Sequence, residues 1–262
     1  MKNLIQNTKK YFPNFQQSVF LCLLLLCLSV FISLLIPLIN LDNDDSILMI
    51  WLNLPVFAFV FMIGLLWSGK SINAFIKNKK IKFIFFIPLA FTTIGFIFII
   101  GEITNILFYF YPIPHYILDE FDHLLSNKWG VIATIFIAAI TEEFFFRGMI
   151  LSGLKNNYGY WMSITLSALL FAFIHVIPWQ IIPAFFAGIF LGWIYLKFKS
   201  IVLCIVIHAF NNALVAIPEY YDFDIPGIVY DIKAGIQFQG FWIDSLAVIL
   251  FFYGLFLIHK TF

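Results

Sequence analysis

Charged residues are scarce in this sequence, and their scarcity excludes most kinds of protein. They make up 11% of the 262 residues, while 63% are hydrophobic. Soluble domains contain about 25% charged and roughly 45–50% apolar residues. The net charge of +1 does not indicate nucleic-acid binding. A water-soluble fold cannot hide this much apolar surface, so we expect an integral membrane protein that contacts the lipid bilayer.

Cysteine is rare as well, and its placement excludes two further kinds of site. Cys22, Cys27 and Cys204 all lie inside apolar runs, where a disulfide framework or a zinc knuckle is implausible. The remaining polar residues are too few for a separate soluble domain. We therefore expect residues 1–262 to form a single transmembrane domain.

Long apolar runs fill the sequence instead. About 20 apolar residues cross the hydrocarbon core as a helix, so the sequence predicts an all-α polytopic bundle of about eight transmembrane helices. The number ranges from seven to nine, because Pro178 is the only break in its region. The predicted spans are Ser18–Ile39, Ser46–Trp67, Phe83–Tyr111, Gly130–Leu151, Tyr160–Pro178, Trp179–Leu196, Ser200–Ile217 and Phe241–His259.

Lysines and acidic residues alternate between successive connections. Lysine-rich connections face the cytoplasm, so both termini are predicted to be cytoplasmic in a multi-pass cell-membrane protein. The abundance of lysine, isoleucine, asparagine and phenylalanine indicates an AT-rich, bacterial genome. The cytoplasmic group contains Lys2, Lys9, Lys10, Lys70, Lys77, Lys79, Lys80, Lys82, Lys155, Lys197, Lys199 and Lys260. The external group contains Asp42, Asp44, Asp45, Asp119, Glu120, Asp122, Glu219, Asp222, Asp224 and Asp231, with Lys128 and Lys233.

A few polar side chains fall inside the predicted spans. A charge at the centre of a span costs about 2.5–3.5 kcal/mol on insertion scales, so such residues indicate function. Arg147 is the only arginine in the chain, and its planar guanidinium suits a carboxylate partner. We assign no role to Glu102. The other polar residues inside the predicted spans are Glu142, Glu143, His175, His208 and the neutral Asn212.

Helical spacing separates two kinds of carboxylate. Glu143 and Arg147 are four residues apart on one helix face, which predicts an ion pair that holds the helix. Glu142 is turned by about 100° from Glu143 and has no partner in its own helix. A carboxylate of that kind is a candidate general base.

Two histidines and an amide complete the candidate site. His208 and Asn212 share one helix face and offer hydrogen-bond donors for an oxyanion, while His175 can assist a base in activating water. A base, a histidine and oxyanion donors are the parts of acyl-group hydrolysis. Depth argues against the grouping: counted from the lysine-rich ends, His175 lies about 22 Å deep, against about 15 Å for Glu142 and about 12 Å for His208.

Three motifs in this order resemble a known family. The motifs are Glu142-Glu143-x-x-x-Arg147, Phe171-x-x-x-His175 and His208-x-x-x-Asn212. They resemble those of the CAAX-protease and bacteriocin-processing family, the Rce1-like intramembrane endopeptidases, over roughly residues 130–217. The resemblance implies that Glu142 activates water with His175, that His208 and Asn212 form the oxyanion site, and that Glu143 and Arg147 hold the helix. Phe171 reads as packing.

A metal and other functions remain open at this point. Glu142, His175 and His208 are also a possible ligand set for catalytic zinc. The sequence contains no HExxH motif and Asn212 is a poor zinc ligand, so we favour hydrolysis without an obligatory metal or other cofactor.

The favoured function is cleavage of a membrane-associated peptide or protein, with a lipidated client as one option. The alternative is a bacteriocin self-immunity or peptide-binding membrane protein that needs no proteolysis. A transporter is less favoured, since the sequence shows neither internal repeats nor paired broken helices.

Overall fold

The computed structural model describes residues 11–35, 45–223, 225, 227–228 and 237–261, and these residues form an all-α bundle. The isolated bridge between Asn78 and Ser200 is the only strand-like pairing within the described ranges. The helices are α1 Phe15–Leu35, α2 Asp45–Ser68, α3 Phe86–Phe110, α4 His115–Leu125, α5 Lys128–Asn157, α6 Tyr160–Phe173, α7 Pro178–Phe198, α8 Ile201–Tyr220 and α9 Phe241–Thr261.

Seven of the described helices are long and apolar enough to cross a membrane. They correspond to seven of the predicted spans, and the polytopic helical bundle is confirmed. The predicted span Tyr160–Pro178 is shorter than expected, because α6 has only 14 residues and ends at Phe173, about 21 Å at the usual helical rise. The chain then turns through Val176, at φ 59°, and Pro178 begins α7.

Helix α4 lies in a connection between two predicted spans, which contains acidic residues of the predicted external group. Its 11 residues are amphipathic, with Leu118, Leu124 and Leu125 buried, while His115 and His123 are exposed. Helix α4 packs beside the start of α5, where a Cβ on Gly130 would lie 2.0 Å from the Leu124 carbonyl oxygen. The glycine therefore permits this close packing.

Helix α5 runs through the centre of the bundle and positions the candidate site. Residues Phe145–Leu151 are all buried. Its backbone is π-helical at Ala133–Ala138 and again at Phe144–Leu151, with a short α-helical stretch, Ala139–Glu143, between them. π-helical turns are rare and occur frequently at functional sites. Here they flank the stretch that carries Glu142 and Glu143.

The lysine-bearing connections meet at one end of the bundle. The segment after α2 contacts the ends of α5 and α7, through hydrogen bonds from Ser152 Oγ and Tyr195 Oη to the Phe75 carbonyl oxygen at 3.0 and 2.9 Å. Helix α4 and the last turn of α8 lie at the opposite end of the bundle. Both contain acidic residues. Lys2, Lys9, Lys10, Asp42, Asp44, Asp224, Asp231 and Lys233 fall outside the described residues.

Reporter fusions test the predicted orientation. Fusions after Lys80 and Lys199 should report a cytoplasmic location, and fusions near Asp44 and Asp224 an external one, because basic connections stay inside. Alkaline phosphatase and green fluorescent protein fusions give opposite signals and serve as mutual controls. An external signal after Lys80 would reverse the orientation of the whole protein.

Candidate active site

The two adjacent glutamates of α5 occupy different surroundings. Glu143 is fully buried, whereas 15% of the Glu142 side chain is exposed. Glu142 faces a cavity whose wall also includes Ala138 and Thr141. The 100° turn between successive helical residues produces this division, with one carboxylate directed into the protein and the other into the cavity.

Glu143 joins two basic side chains. Its Oε1 accepts a hydrogen bond from Arg147 Nη1 at 2.8 Å. The same Oε1 lies 2.9 Å from His208 Nδ1, which donates to a carboxylate. The sequence predicted the contact with Arg147 but missed the one with His208, because that residue lies on another helix. Glu143 therefore fixes the orientation of the His208 ring as well as the position of Arg147.

Glu142 approaches the other nitrogen of the same imidazole. Its Oε2 lies 3.8 Å from His208 Nε2, which is longer than a hydrogen bond. Within the described part of the chain, this buried oxygen has no hydrogen-bond partner. A carboxylate with an unpartnered oxygen beside an imidazole nitrogen is a candidate general base.

His175 lies in the turn after α6 and is oriented by its own backbone. Its Nδ1 is 2.8 Å from the carbonyl oxygen of Phe171. A carbonyl only accepts, so Nδ1 carries the proton, and the neutral ring then has Nε2 as an acceptor. Half-buried His175 lines the same cavity as Glu142 and His208. The structure thus brings together the residues that the depth argument had set apart.

Phe171 does more than fill space. The Arg147 guanidinium carbon lies 4.5 Å from the centre of its ring. The ring also makes edge-on contacts with His175, at 4.9 Å between centroids, and with His208, at 6.1 Å. A cation over an aromatic face is stabilised by the ring quadrupole. Phe171 therefore links the buried ion pair to both histidines.

Asn212 is held on the cavity wall by a hydrogen bond to α5. Its Nδ2 donates to the Thr134 carbonyl oxygen at 2.9 Å. An amide nitrogen has two hydrogens, so one remains to meet a ligand. The neighbouring Asn211 also lines the cavity, and its Nδ2 donates to Asn212 Oδ1 at 3.4 Å.

These side chains surround a cavity of about 450 Å³. A second cavity of about 300 Å³ adjoins it and shares Ile100, Phe121, Leu125, Gln180 and Asn211 among its lining residues. The second cavity extends towards the acidic end of the bundle, where Trp179 and Glu219 contribute to its wall. Together they form a mainly apolar space that begins at Glu142.

The family comparison agrees with this geometry. The family model described as type II CAAX prenyl endopeptidase, Rce1-like, matches residues 124–214. The chain contains an Rce1-like segment. Every residue of the three motifs falls within it, and the family is one of membrane proteases. No curated protein and no solved structure matches the chain significantly.

Zinc ligation is the open alternative for Glu142, His175 and His208. The described residues contain no group of three or more histidine, cysteine, aspartate or glutamate side chains placed to hold a metal ion. His208 Nδ1 is occupied by Glu143 and His175 Nδ1 by the Phe171 carbonyl. These hydrogen bonds leave Nε2 of each histidine for the cavity, which suits hydrogen bonding to water and metal ligation alike.

Glu102, which has no predicted role, lies outside the cavity that Glu142 lines. Its Oε2 accepts hydrogen bonds from Asn105 Nδ2 and from the Gln239 backbone, both at 3.1 Å. Gln239 Nε2 in turn donates to the Phe98 carbonyl oxygen at 2.9 Å. Glu102 therefore anchors the chain just before α9 to α3.

Proposed function

We propose that the protein is an intramembrane endopeptidase that hydrolyses a peptide bond in a membrane-associated peptide or protein, with Glu142 as the base that activates water. One observation carries the proposal. Glu142 lines the cavity, and its buried, unpartnered Oε2 lies 3.8 Å from His208 Nε2, inside the segment that matches membrane proteases. Insertion of such a carboxylate is costly, and a catalytic role explains its presence.

The proposed reaction gives a role to Glu142, His175, His208 and Asn212. Water between Glu142 and His175 gives its proton to Glu142 while His175 Nε2 orients it, and the water oxygen attacks the carbonyl carbon of the scissile bond. The oxyanion accepts hydrogen bonds from the second N–H of Asn212 and from His208 Nε2, when that nitrogen is protonated. Glu142 then returns the proton to the leaving nitrogen, and the C–N bond breaks.

Glu143 and Arg147 act through His208 in this proposal. Glu143 accepts the Nδ1 hydrogen of His208 at 2.9 Å, so the ring keeps Nε2 directed at the cavity. A carboxylate that orients a catalytic histidine is a common arrangement in hydrolases. Arg147 neutralises the buried Glu143.

The shape of the cavities supports an apolar client. The second cavity of about 300 Å³ is lined largely by apolar side chains, such as Ile97, Ile113, Ile117 and Leu118. Such a space suits hydrophobic residues beside the scissile bond or a lipid group attached to them. If the predicted orientation holds, the cavity leads to the external face, which favours a secreted or membrane-inserted peptide as the client.

A peptide-binding immunity protein is the competing function, and one comparison separates the two. An immunity protein that only binds its peptide would protect cells equally well with Glu142→Gln, because the substitution preserves the shape of the side chain. A peptidase would lose its effect on cells with the same change. The comparison requires equal amounts of both proteins in the membrane.

Asn212→Ala should lower turnover by about 10²–10³, as expected for removing one oxyanion donor, with little change in KM. Asn211→Ala is the matched control, because it removes the same group one residue earlier on the same cavity wall. Steady-state kinetics on the cleaved client measures both. Unchanged turnover in Asn212→Ala would mean that Asn212 has no special role in the reaction.

A further inference from the structure

We propose that Gln180 is a substrate-binding residue whose amide pairs with a backbone peptide group of the client, where the client passes from the cavity that Glu142 lines into the second cavity. Gln180 lies in the first turn of α7 and belongs to none of the three motifs. The inference rests on the proposed function and names the part of the client that this side chain binds.

Gln180 lies where the two cavities adjoin, and it lines both of them. Asn211 also lines both, but its Nδ2 donates to Asn212 Oδ1 at 3.4 Å. A peptide that occupies both cavities must therefore pass the Gln180 amide. The other residues common to the two walls are apolar, namely Ile100, Phe121, Leu125, Pro183 and Val215.

The amide of Gln180 is not used within the described part of the protein. Neither Oε1 nor Nε2 has a hydrogen-bond partner among the described residues, and neither is enclosed as a buried unpaired atom. The residue is half-buried. An amide in apolar surroundings costs free energy unless it is hydrogen-bonded, so its presence at this junction indicates a partner that arrives with the client.

Helix capping does not account for this glutamine. A glutamine at the third position of a helix can bond back to the backbone N–H of the N-cap residue. The N-cap of α7 is Ile177, and its N–H donates to the His175 carbonyl oxygen instead. The Gln180 backbone N–H donates to the Ile177 carbonyl oxygen at 2.9 Å. The side-chain amide is therefore left for a ligand.

The start of α7 is held in place, which fixes the position of the amide. Trp179 Nε1 donates to the Tyr111 carbonyl oxygen at 2.8 Å, and this bond ties the first turn of α7 to the end of α3. The turn before α7 contains His175, which lines the same cavity as Gln180. A side chain on a fixed segment loses less freedom when it binds a ligand.

A peptide group is the matching partner for a side-chain amide. Oε1 can accept a hydrogen bond from a backbone N–H, while Nε2 donates to a backbone carbonyl oxygen. A client drawn into an apolar space within the membrane loses the water around its backbone, and unpaired peptide groups are costly there. A cationic side chain would instead favour a carboxylate at this position, and an alkyl group would need no polar partner.

Peptide binding to the full chain in lipid vesicles tests the proposal. The probe is the peptide that the purified protein cleaves fastest in a library of synthetic apolar peptides. Its Kd is measured in the Glu142→Gln background, which should bind the probe without cleaving it. Adding Gln180→Leu should raise this Kd about tenfold, as expected for the loss of two hydrogen bonds between neutral groups.

Two controls accompany this measurement. Gln16→Leu makes the same change at an exposed position of α1 that lines neither cavity, and it should retain the affinity. In the cleavage assay, Gln180→Leu should raise KM with little effect on kcat, because the contact is made equally before and during the reaction. Thermal unfolding shows whether each variant is folded, and Gln180→Met replaces the leucine variant if that variant is unstable.

Ester substitution in the probe identifies the backbone contact. Esters that replace its peptide bonds one at a time remove single N–H donors. At one position the ester should weaken binding about fivefold when Gln180 is present and cause no further loss with Gln180→Leu. The proposal is wrong if Gln180→Leu leaves the Kd unchanged, if no ester weakens binding, or if every ester causes equal losses in the two proteins. A library without any cleaved peptide would instead contradict proteolysis itself, and its tightest-binding peptide then serves as the probe for Gln180.

Discussion

Glu142→Gln is expected to stop peptide cleavage while the protein remains folded. Removal of a general base lowers turnover by about 10²–10⁴, and loss of the group that generates the nucleophile places the effect at the upper end. Folding should survive because glutamine has the same shape and the described structure gives Glu142 Oε2 no hydrogen-bond partner to lose. Cleavage by purified protein in lipid vesicles, together with its unfolding temperature, measures both effects.

Metal analysis is the control for this prediction. Under glutamate-activated hydrolysis, activity persists in the presence of chelators. Under a zinc mechanism, Glu142, His175 and His208 would bind the metal together, so replacement of any one should release it. One tightly held zinc per chain, lost and restored together with activity, would contradict the proposed role of Glu142.

Glu143→Gln should destabilise the protein by about 3–5 kcal/mol, because it leaves the Arg147 charge buried without a counter-charge. Both side chains are almost fully buried, with exposures of 0% and 1%. The double variant Glu143→Gln with Arg147→Met should recover part of the loss, since it removes both charges. Chemical or thermal unfolding in a single detergent measures the differences.

The activity of the double variant distinguishes two roles of Glu143. If the carboxylate also orients His208 through the 2.9 Å contact with Nδ1, the double variant should regain stability and remain slow. Recovery of full turnover along with stability would show that Glu143 has a structural role alone. A single Glu143→Gln variant that is as stable as the original protein and wholly inactive would contradict the structural role.

The membrane-spanning architecture could be predicted because it depends on local composition. Apolar runs of sufficient length mark the spans, and most predicted boundaries lie within a few residues of the helices observed. The separation of Glu142 from Glu143 also follows from one helical repeat. Such features need no knowledge of which helices are neighbours.

Contacts between helices could not be predicted in the same way. The bond from His208 to Glu143 joins α8 to α5, and the position of Phe171 between Arg147 and the histidines depends on how α6 packs. The apparent excess depth of His175 also arose from the assumed span. Helix α6 ends at Phe173, and His175 turns back to bond the Phe171 carbonyl, which brings its ring to the cavity.

Helix α4 was missed for a different reason, which concerns its own sequence and not its contacts. Its charged residues, Asp119, Glu120 and Asp122 among them, placed the segment in a connection between predicted spans, and no helix was predicted there. Leu118, Leu124 and Leu125 lie on one face and are buried, a spacing typical of an amphipathic helix. Helical periodicity within the acidic segment was the signal that could have identified it.

The most direct test of the central claim is mass spectrometry of new peptide termini in membranes and culture medium. Cells with the intact protein are compared with cells that contain equal amounts of the Glu142→Gln variant. Proteolysis by Glu142 predicts at least one membrane-associated client whose cleaved termini are present with the intact protein and absent with the variant, while the uncleaved client accumulates. Identical termini in the two samples, with the client at equal levels, would contradict the assignment as a peptidase.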